Sequence, residues 1–267
     1  MDIVRRVVPT GTRAPTGDTN AYVLGTGPTV LVDPATRTDA LDDVVAARSV
    51  EHVLVTHSHP DHVGAVARYA AETGATVWAR AGHADRFRET TDCDPDREFG
   101  PGTEITLGDD RVRVLDAPGH APDHVALEAG REGPILCGDC ALREGSVVVG
   151  APEGDMRAYL TTLRRLWAID PPRLCPGHGP EITSPRETLE RLLDHRYRRE
   201  RRINEAVSGG ARTLEEILAS AYEKDLAGVQ DLARATVVAH LEKLDVEGRL
   251  EWDGERVRPT TGKRQLL

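Results

Sequence analysis

From the N-terminus to about residue 185, short apolar runs alternate with Gly, Pro and Asp turns. Tyr22–Leu24, Val30–Val32, Val53–Thr56, Ala75–Ala79, Arg111–Leu115, His124–Glu128, Pro134–Cys137 and Val147–Val149 read as strands bounded by turn residues. Helical patterns intervene at Ala40–Arg48, from Asp61 to Thr73 before Gly74, and at Met156–Ile169, which stops at Pro171-Pro172. Many strands with interspersed helices predict an α/β layered domain. The segment Gly82–Gly102 carries Arg86, Arg88, Asp92, Asp94, Asp96 and Arg97. It is expected to be a charged loop over the functional site that sets substrate choice.

After residue 185 the pattern changes. Ser184 is a helix N-cap with Pro185 at the first position, and the helix is predicted through Arg186–Val207 until Gly209-Gly210. Residues 186–202 hold seven Arg against four acids. Thr213-Leu214-Glu215-Glu216 is a capping box that opens a second helix. Asp231–Leu244 is a third, amphipathic helix, and Arg249–Trp252 with Arg256–Arg258 predicts a hairpin around Asp253-Gly254. The expected organisation is a catalytic-size domain over 1–185, a linker helix over 186–208 and a small α+β module over 209–267. Two helices followed by a hairpin resemble a winged helix.

Composition narrows the class. The chain has 267 residues, 39% hydrophobic and 29% charged, which excludes fibres and disordered tails. No run approaches the ~20 apolar residues that a membrane-spanning helix needs. Met1-Asp2-Ile3-Val4-Arg5-Arg6 lacks the apolar run of a secretion signal, so the expected compartment is the cytoplasm. A net charge of −10 disfavours a surface built to collect phosphates. The cysteines are Cys93, Cys137, Cys140 and Cys175. Cys137-Gly138-Asp139-Cys140 has no second pair to complete a zinc knuckle, so small buried hydrophobes are the expected role.

The chemistry concentrates in Thr56-His57-Ser58-His59-Pro60-Asp61-His62, three imidazoles and a carboxylate within six residues. The apolar strand before it ends at Thr56. His57 and His59, two apart on extended chain, point the same way. Pro60 turns the chain into a helix whose first residues are Asp61 and His62, which then face a second position beside the first. Imidazole with carboxylate suits zinc, and also iron or manganese. Ala117-Pro118-Gly119-His120, Gly138-Asp139 and Pro176-Gly177-His178-Gly179-Pro180 each add one ligand-type residue among small residues that permit close approach.

These motifs, in this order over residues 1 to about 185, resemble the metallo-β-lactamase superfamily of hydrolases. The resemblance implies an αβ/βα four-layer sandwich with metals at one edge between two sheets. It implies two Zn²⁺, or Mn²⁺ or Fe²⁺ in their place. One ion is then held by His57, His59 and His120, the other by Asp61, His62 and His178, with Asp139 bridging. Asp33 matches a family aspartate that orients a ligand histidine, and His124 is a candidate supporting residue. His195–Asn204, Thr213–Ile217, Ala239–Leu244 and Gly248–Leu250 further resemble the lactamase-β-like protein 2 branch, which appends a winged-helix-like domain.

The implied chemistry is attack by a metal-bridging hydroxide on a carbonyl or phosphoryl centre, with Asp61 orienting the nucleophile or shuttling its proton. A small-molecule ester, thioester or lactone is the favoured substrate class. Single-stranded RNA is the alternative, favoured by the basic Arg186–Arg202 helix. A mononuclear iron dioxygenase and a non-catalytic DNA binder are further readings, the latter weakened by an acid-rich recognition helix. No membrane partner is expected, and the C-terminal module is expected to wall the cleft or mediate homodimer contacts.

Overall fold

The computed structural model describes residues 1–222 and 226–260. Six strands form the first sheet in sequence order: β1 (Ile3–Pro9), β2 (Asp18–Leu24), β3 (Pro28–Val32), β4 (Ser49–Leu54), β5 (Thr76–Arg80) and β6 (Arg97–Phe99). β1–β3 pair antiparallel and β3–β6 parallel. The parallel pairs need crossovers, which contain α1 (Asp39–Ala46), α2 (Pro60–Val63), α3 (Val66–Thr73) and α4 (Ala84–Thr91). In the second sheet β7 (Glu104–Leu107), β8 (Asp110–Asp116), β9 (Val125–Ala129) and β10 (Ile135–Gly138) run antiparallel. After α5 (Met156–Ile169), β11 (Leu174–Pro176) adds parallel to β10.

The two-residue period of each strand builds the layers. On β2 and β3, Tyr22, Leu24, Val30 and Val32 face the second sheet, where Val112, Val114, Leu127 and Leu136 meet them. Ala21, Val23 and Leu31 point the other way, onto Leu41 and Val45 of α1 and Val66 and Tyr69 of α3. Behind the second sheet, Leu160, Leu163 and Leu166 of α5 pack with Leu189 and Leu192. The result is the four-layer metallo-β-lactamase sandwich. Strands buried on both faces explain why the central runs show little polar alternation.

Helix α6 (Pro185–Ser208) spans two cores. Leu189 and Leu192 join the α5 layer, whereas Ile203 and Val207 join a separate cluster with α7 (Leu214–Ala221), α8 (Gln230–Val246), β12 (Leu250–Trp252) and β13 (Val257–Pro259). Pro185 occupies the first turn of α6, and both halves of the Thr213–Glu216 capping box form at α7. Helix α8 is buried on two sides: Ala239 faces the α5 layer, while Val237, Leu241 and Leu244 face the C-terminal cluster. Glu200 of α6 accepts from Lys243 at 2.6 Å and from Arg249 at 2.5 Å, a buried carboxylate between two cations. No helix among the described residues is long and apolar enough to cross a membrane. Residues 261–267 of the 209–267 module lie outside the described residues.

Four local expectations are corrected. Gly82–Gly102 is not a loop, because Phe87 and Phe99 are both buried and anchor α4 and β6 while the charges stay outside. The Asp61–Thr73 helix breaks at Gly64-Ala65 into α2 and α3, because Ala65 N donates to Pro34 O at 2.9 Å instead of into the helix. Val147–Val149 forms no strand; its carbonyls accept from side chains instead, Val147 O from Arg196 at 2.6 Å. β1, β7 and β11 are strands that the hydrophobic pattern does not announce. β1 carries only one fully buried residue, Val8.

Acid should weaken the contact between the two cores. Burial, then Arg196, Arg199 and Arg198, lowers the His195 pKa to about 4. Burial with Arg196 and Lys243 puts His240 well below its usual value too. Both rings are neutral when folded, whereas unfolded His titrates near about 6.5. The stability they contribute is therefore complete above pH 6.5 and is lost as pH falls toward 4. Urea melts from pH 7 to 4.5 should show a falling midpoint, and His195→Gln should flatten that fall.

Candidate metal centre

The site sits where strand ends and their following loops meet. Past β4, His59 is extended (φ −71°, ψ 145°), caps α2, and Pro60 takes the first helical position. Asp61 and His62 thus fall in the first turn. Ser58 N donates to Asp123 Oδ2 at 2.8 Å, which pins this loop. Gly119 (φ +129°) precedes His120, and any Cβ there would collide with the Tyr159 backbone. Asp139 follows Gly138 (φ +47°), which lies tight against His124 and Thr56. Asn20 Nδ2 donates at 2.8 Å to both Pro176 O and Gly179 O, and Tyr22 Oη to Pro176 O at 2.7 Å, which fixes the loop bearing His178.

Seven side chains converge. His57 Nε2 lies 2.9 Å from His59 Nδ1, which lies 3.0 Å from His120 Nε2. His62 Nε2 is 3.3 Å from His178 Nε2, and Asp61 Oδ2 is 3.6 Å from the same nitrogen. Asp139 stands between the groups: Oδ2 is 3.3 Å from His178 and 3.5 Å from His120, and Oδ1 is 3.7 Å from His62. Three sets that could hold an ion result: His57–His59–His120, His57–His62–Asp139 and Asp61–His62–His178.

Each ring's other nitrogen is held by oxygen. His57 Nδ1 is 3.1 Å from Thr56 Oγ1, and His59 Nε2 is 2.9 Å from Glu153 Oε2. His62 Nδ1 meets Asp33 Oδ2 at 3.0 Å. His120 Nδ1 meets Val148 O and His178 Nδ1 meets Asp18 O, both at 2.7 Å. Outward nitrogens that donate leave the inward ones as acceptors. That is the support that ligating histidines use. Lone pairs facing one another repel, and Asp139 Oδ1 is buried with no hydrogen-bond partner. Together these features fit a cation at the cluster.

Charge follows burial and neighbours. Burial, then the adjoining imidazoles, holds His57 well below its usual pKa, and burial lowers His120. Burial alone would raise the Asp139 carboxyl, but hydrogen bonding to His178 and the charges of His120 and His62 lower it instead. His62 is pushed up to about 9, because the Asp33 and Asp139 carboxylates overcome its burial.

Asp33 and His124 support the cluster from outside. Asp33 (φ +51°) sits beyond β3 and accepts from Thr56 N at 2.6 Å and Thr56 Oγ1 at 2.8 Å besides meeting His62. His124 Nε2 accepts from Asp139 N at 2.9 Å while its Nδ1 donates to Ala117 O. Sequence reasoning names Arg86 only as one charge of the Gly82–Gly102 segment and does not find Glu153 or Asp123. Arg86 of α4 donates to both Glu153 oxygens at 2.8 and 2.9 Å and lies 3.3 Å from Asp123. Arg86 lies 67 residues from Glu153, so no local pattern signals this brace of His59.

A cavity of about 190 Å³ opens over Asp61, His59, His120, Asp139 and His178. Its rim comes from the Thr12–Pro15 loop, Leu142, Ser146–Val148 and Leu232 of α8. Arg13 ties that loop to α8, pairing with Asp231 at 2.6 Å. Close packing beneath the cluster makes Gly177 a sharp test. A Cβ there would meet Asp139 Oδ1 at 2.6 Å and His62 Cε1 at 2.7 Å. Gly177→Ala is expected to fold but to lose on the order of 100-fold in activity or metal affinity, as displaced ligand supports do. Steady-state kinetics and a metal titration check this.

Fold and cluster together define a metallo-β-lactamase fold with a histidine–aspartate centre. Comparison with known proteins agrees, and the chain belongs to the metallo-beta-lactamase superfamily, whose pattern matches residues 14–178. It is similar to the beta-lactamase-like protein 2 homolog of Drosophila melanogaster, 32% identical over 250 residues, 87% of this chain and 84% of that one. The atrochrysone carboxyl ACP thioesterase of Aspergillus fumigatus is 28% identical over 69% of this chain and 58% of its own length. A metallo-beta-lactamase family protein from Thermus thermophilus superposes with a TM-score of 0.77 at 25% identity, covering 96% of this chain and 98% of that one. Hydroxyacylglutathione hydrolases are among further relatives, so the enzymes near this chain are hydrolases.

Proposed function

We propose that this chain is a dinuclear, divalent-metal-dependent hydrolase of a small acyl thioester or ester. His57, His59 and His120 hold one ion, Asp61, His62 and His178 the other, and Asp139 is shared. The carrying observation is the three overlapping sets built from five inward imidazole nitrogens and two carboxylates, with a buried Asp139 oxygen that has no hydrogen-bond partner. Nitrogen with carboxylate oxygen suits Zn²⁺, with Mn²⁺ and Fe²⁺ next. Such ions, when bound, lower the pKa of a water to about 7 and polarise a carbonyl oxygen.

The protein's own groups do the rest. Asp61 lines the cavity and is half-buried, so its carboxylate orients the attacking water and accepts its proton. Asp139 holds the two halves of the cluster in register, with its backbone fixed by His124. Glu153, braced by Arg86, keeps His59 turned inward; its pKa falls to about 2, through Arg86 first. Leu142, Val148 and Leu232 give the acyl chain an apolar rim, with α8 of the C-terminal module as one wall of the cleft.

The thioesterase and hydroxyacylglutathione hydrolase relatives support the acyl reading. The DNA-binding alternative is disfavoured, because α8 packs against both cores and its exposed charged residues, Asp231, Glu242 and Asp245, are acidic. A hydrolysis panel on the zinc-loaded protein tests the proposal. Acyl thioesters should turn over with little salt dependence. Cleavage of single-stranded RNA that falls steeply with salt, with thioesters untouched, would replace this reading by an endoribonuclease.

A further inference from the structure

A second cavity, of about 550 Å³, lies between α6 and α8. Ser146, Val147, Val148 and Leu232 line this cavity and the metal-ligand cavity alike, so the two adjoin. One wall is cationic: Arg196, Arg198, Arg199 and Arg202 fall within about two turns of α6, with Arg198 paired to Asp194 at 2.7 Å. The other is apolar, with Leu226, Val229, Leu232 and Ala233. Among the described residues lining it, none is a carboxylate.

Arg196 is the informative member. It is 3% exposed, its Nη2 donates to Val147 O at 2.6 Å, and its guanidinium lies 5.2 Å from the Tyr159 ring centroid. Its Nε is also buried and has no hydrogen-bond partner. A buried charged donor without a partner in its own chain points to an acceptor supplied from outside. The field agrees: His195, which also lines the cavity, is driven to a pKa of about 4 by burial and then by its arginine neighbours.

The two cavities are also joined by bonds. Val147 O accepts from Arg196, and the next carbonyl, Val148 O, lies 2.7 Å from His120 Nδ1. One short segment therefore holds a cavity arginine on one side and a cluster histidine on the other. A group seated against Arg196 fixes the same backbone that orients His120.

We propose that this cavity is the subsite for the anionic end of the substrate, a phosphate or carboxylate borne by the thiol half of an acyl thioester. Arg196, Arg198 and Arg202 take the anion through charge-assisted hydrogen bonds, the apolar α8 wall covers the aliphatic arm, and the scissile carbonyl reaches the His–Asp cluster past Ser146–Val148. The assignment deepens the hydrolase reading and rests on it. A cavity of this size with one apolar wall suits a single arm better than a strand. The net charge of −10 also disfavours a polynucleotide.

The test uses the full chain with Arg198→Gln and Arg202→Gln, singly and together. Calorimetry measures binding of coenzyme A (phosphates), glutathione (carboxylates) and N-acetylcysteamine (uncharged). The parent should bind at least one anionic thiol at least tenfold more tightly than the uncharged one. The double variant should lose at least tenfold of that preference. Coenzyme A as the preferred thiol identifies phosphate, glutathione carboxylate. If the double variant melts early, the exposed Arg198→Gln carries the comparison, with a loss of about threefold or more.

Equal binding of all three thiols by the parent, or an intact preference in a folded variant, overturns the proposal. So does single-stranded RNA binding through these arginines while the thiols fail to bind. The hydrolase reading fails separately: a parent that binds the anionic thiol with this preference yet cleaves none of the three acetyl thioesters keeps the subsite and loses the reaction.

Discussion

Replacing Asp139 with alanine should reduce hydrolysis by on the order of a thousandfold or more, the rate equivalent of several kcal/mol of metal-assisted stabilisation. Among the described residues, Asp139 is the one carboxylate within 3.7 Å of His62, His120 and His178 together. Its loss removes the carboxylate that the three imidazoles share and leaves Asp61 beside His178 alone. Asp139→Asn keeps the shape, and its backbone N–H still donates to His124, so it should retain more metal than alanine but little turnover. Rates with a chromogenic thioester and metal content per chain separate the two effects. An alanine variant with full activity and stripped metal would refute the mechanism.

Removing divalent ions should have an equally large effect. Dialysis against a strong chelator is expected to abolish turnover, and added zinc, manganese or iron to restore it. Stability should follow, because ions that bind only the folded chain stabilise it by mass action, by about 2.7 kcal/mol at a hundredfold excess over Kd. The metal-free protein should therefore melt several degrees lower. A chelated protein with unchanged turnover and melting temperature would mean that the buried cluster holds no functional ion.

What was readable in the chain, and what was not, divides by distance. His57, His59, Asp61 and His62 are local: a strand end and a proline-started helix bring all four together, and the distant Asp123, Glu153 and Asp33 then hold the loop and the rings. His120, Asp139 and His178 are each marked by a glycine whose missing Cβ allows the approach, at Gly119, Gly138 and Gly177. Asp33 is legible only through resemblance, since its bonds to Thr56 and His62 span 23 and 29 residues. Glu153 and Arg86 are illegible for the same reason, with no motif to compensate. Helix α4 hides because only Phe87 and Thr91 of its eight residues are fully buried, while Arg88 pairs with Asp85 and Asp94 outside. Val147–Val149 misleads because an apolar run also serves as a buried wall between two cavities.

The count of ions in each chain tests the account most directly. Protein purified without added metal and analysed by mass spectrometry of its elements should carry close to two divalent ions per chain, falling in Asp139→Ala. One iron per chain would point instead to a mononuclear oxygen-using centre. A chain that neither arrives with zinc, manganese or iron nor takes them up would contradict the assignment of all seven side chains.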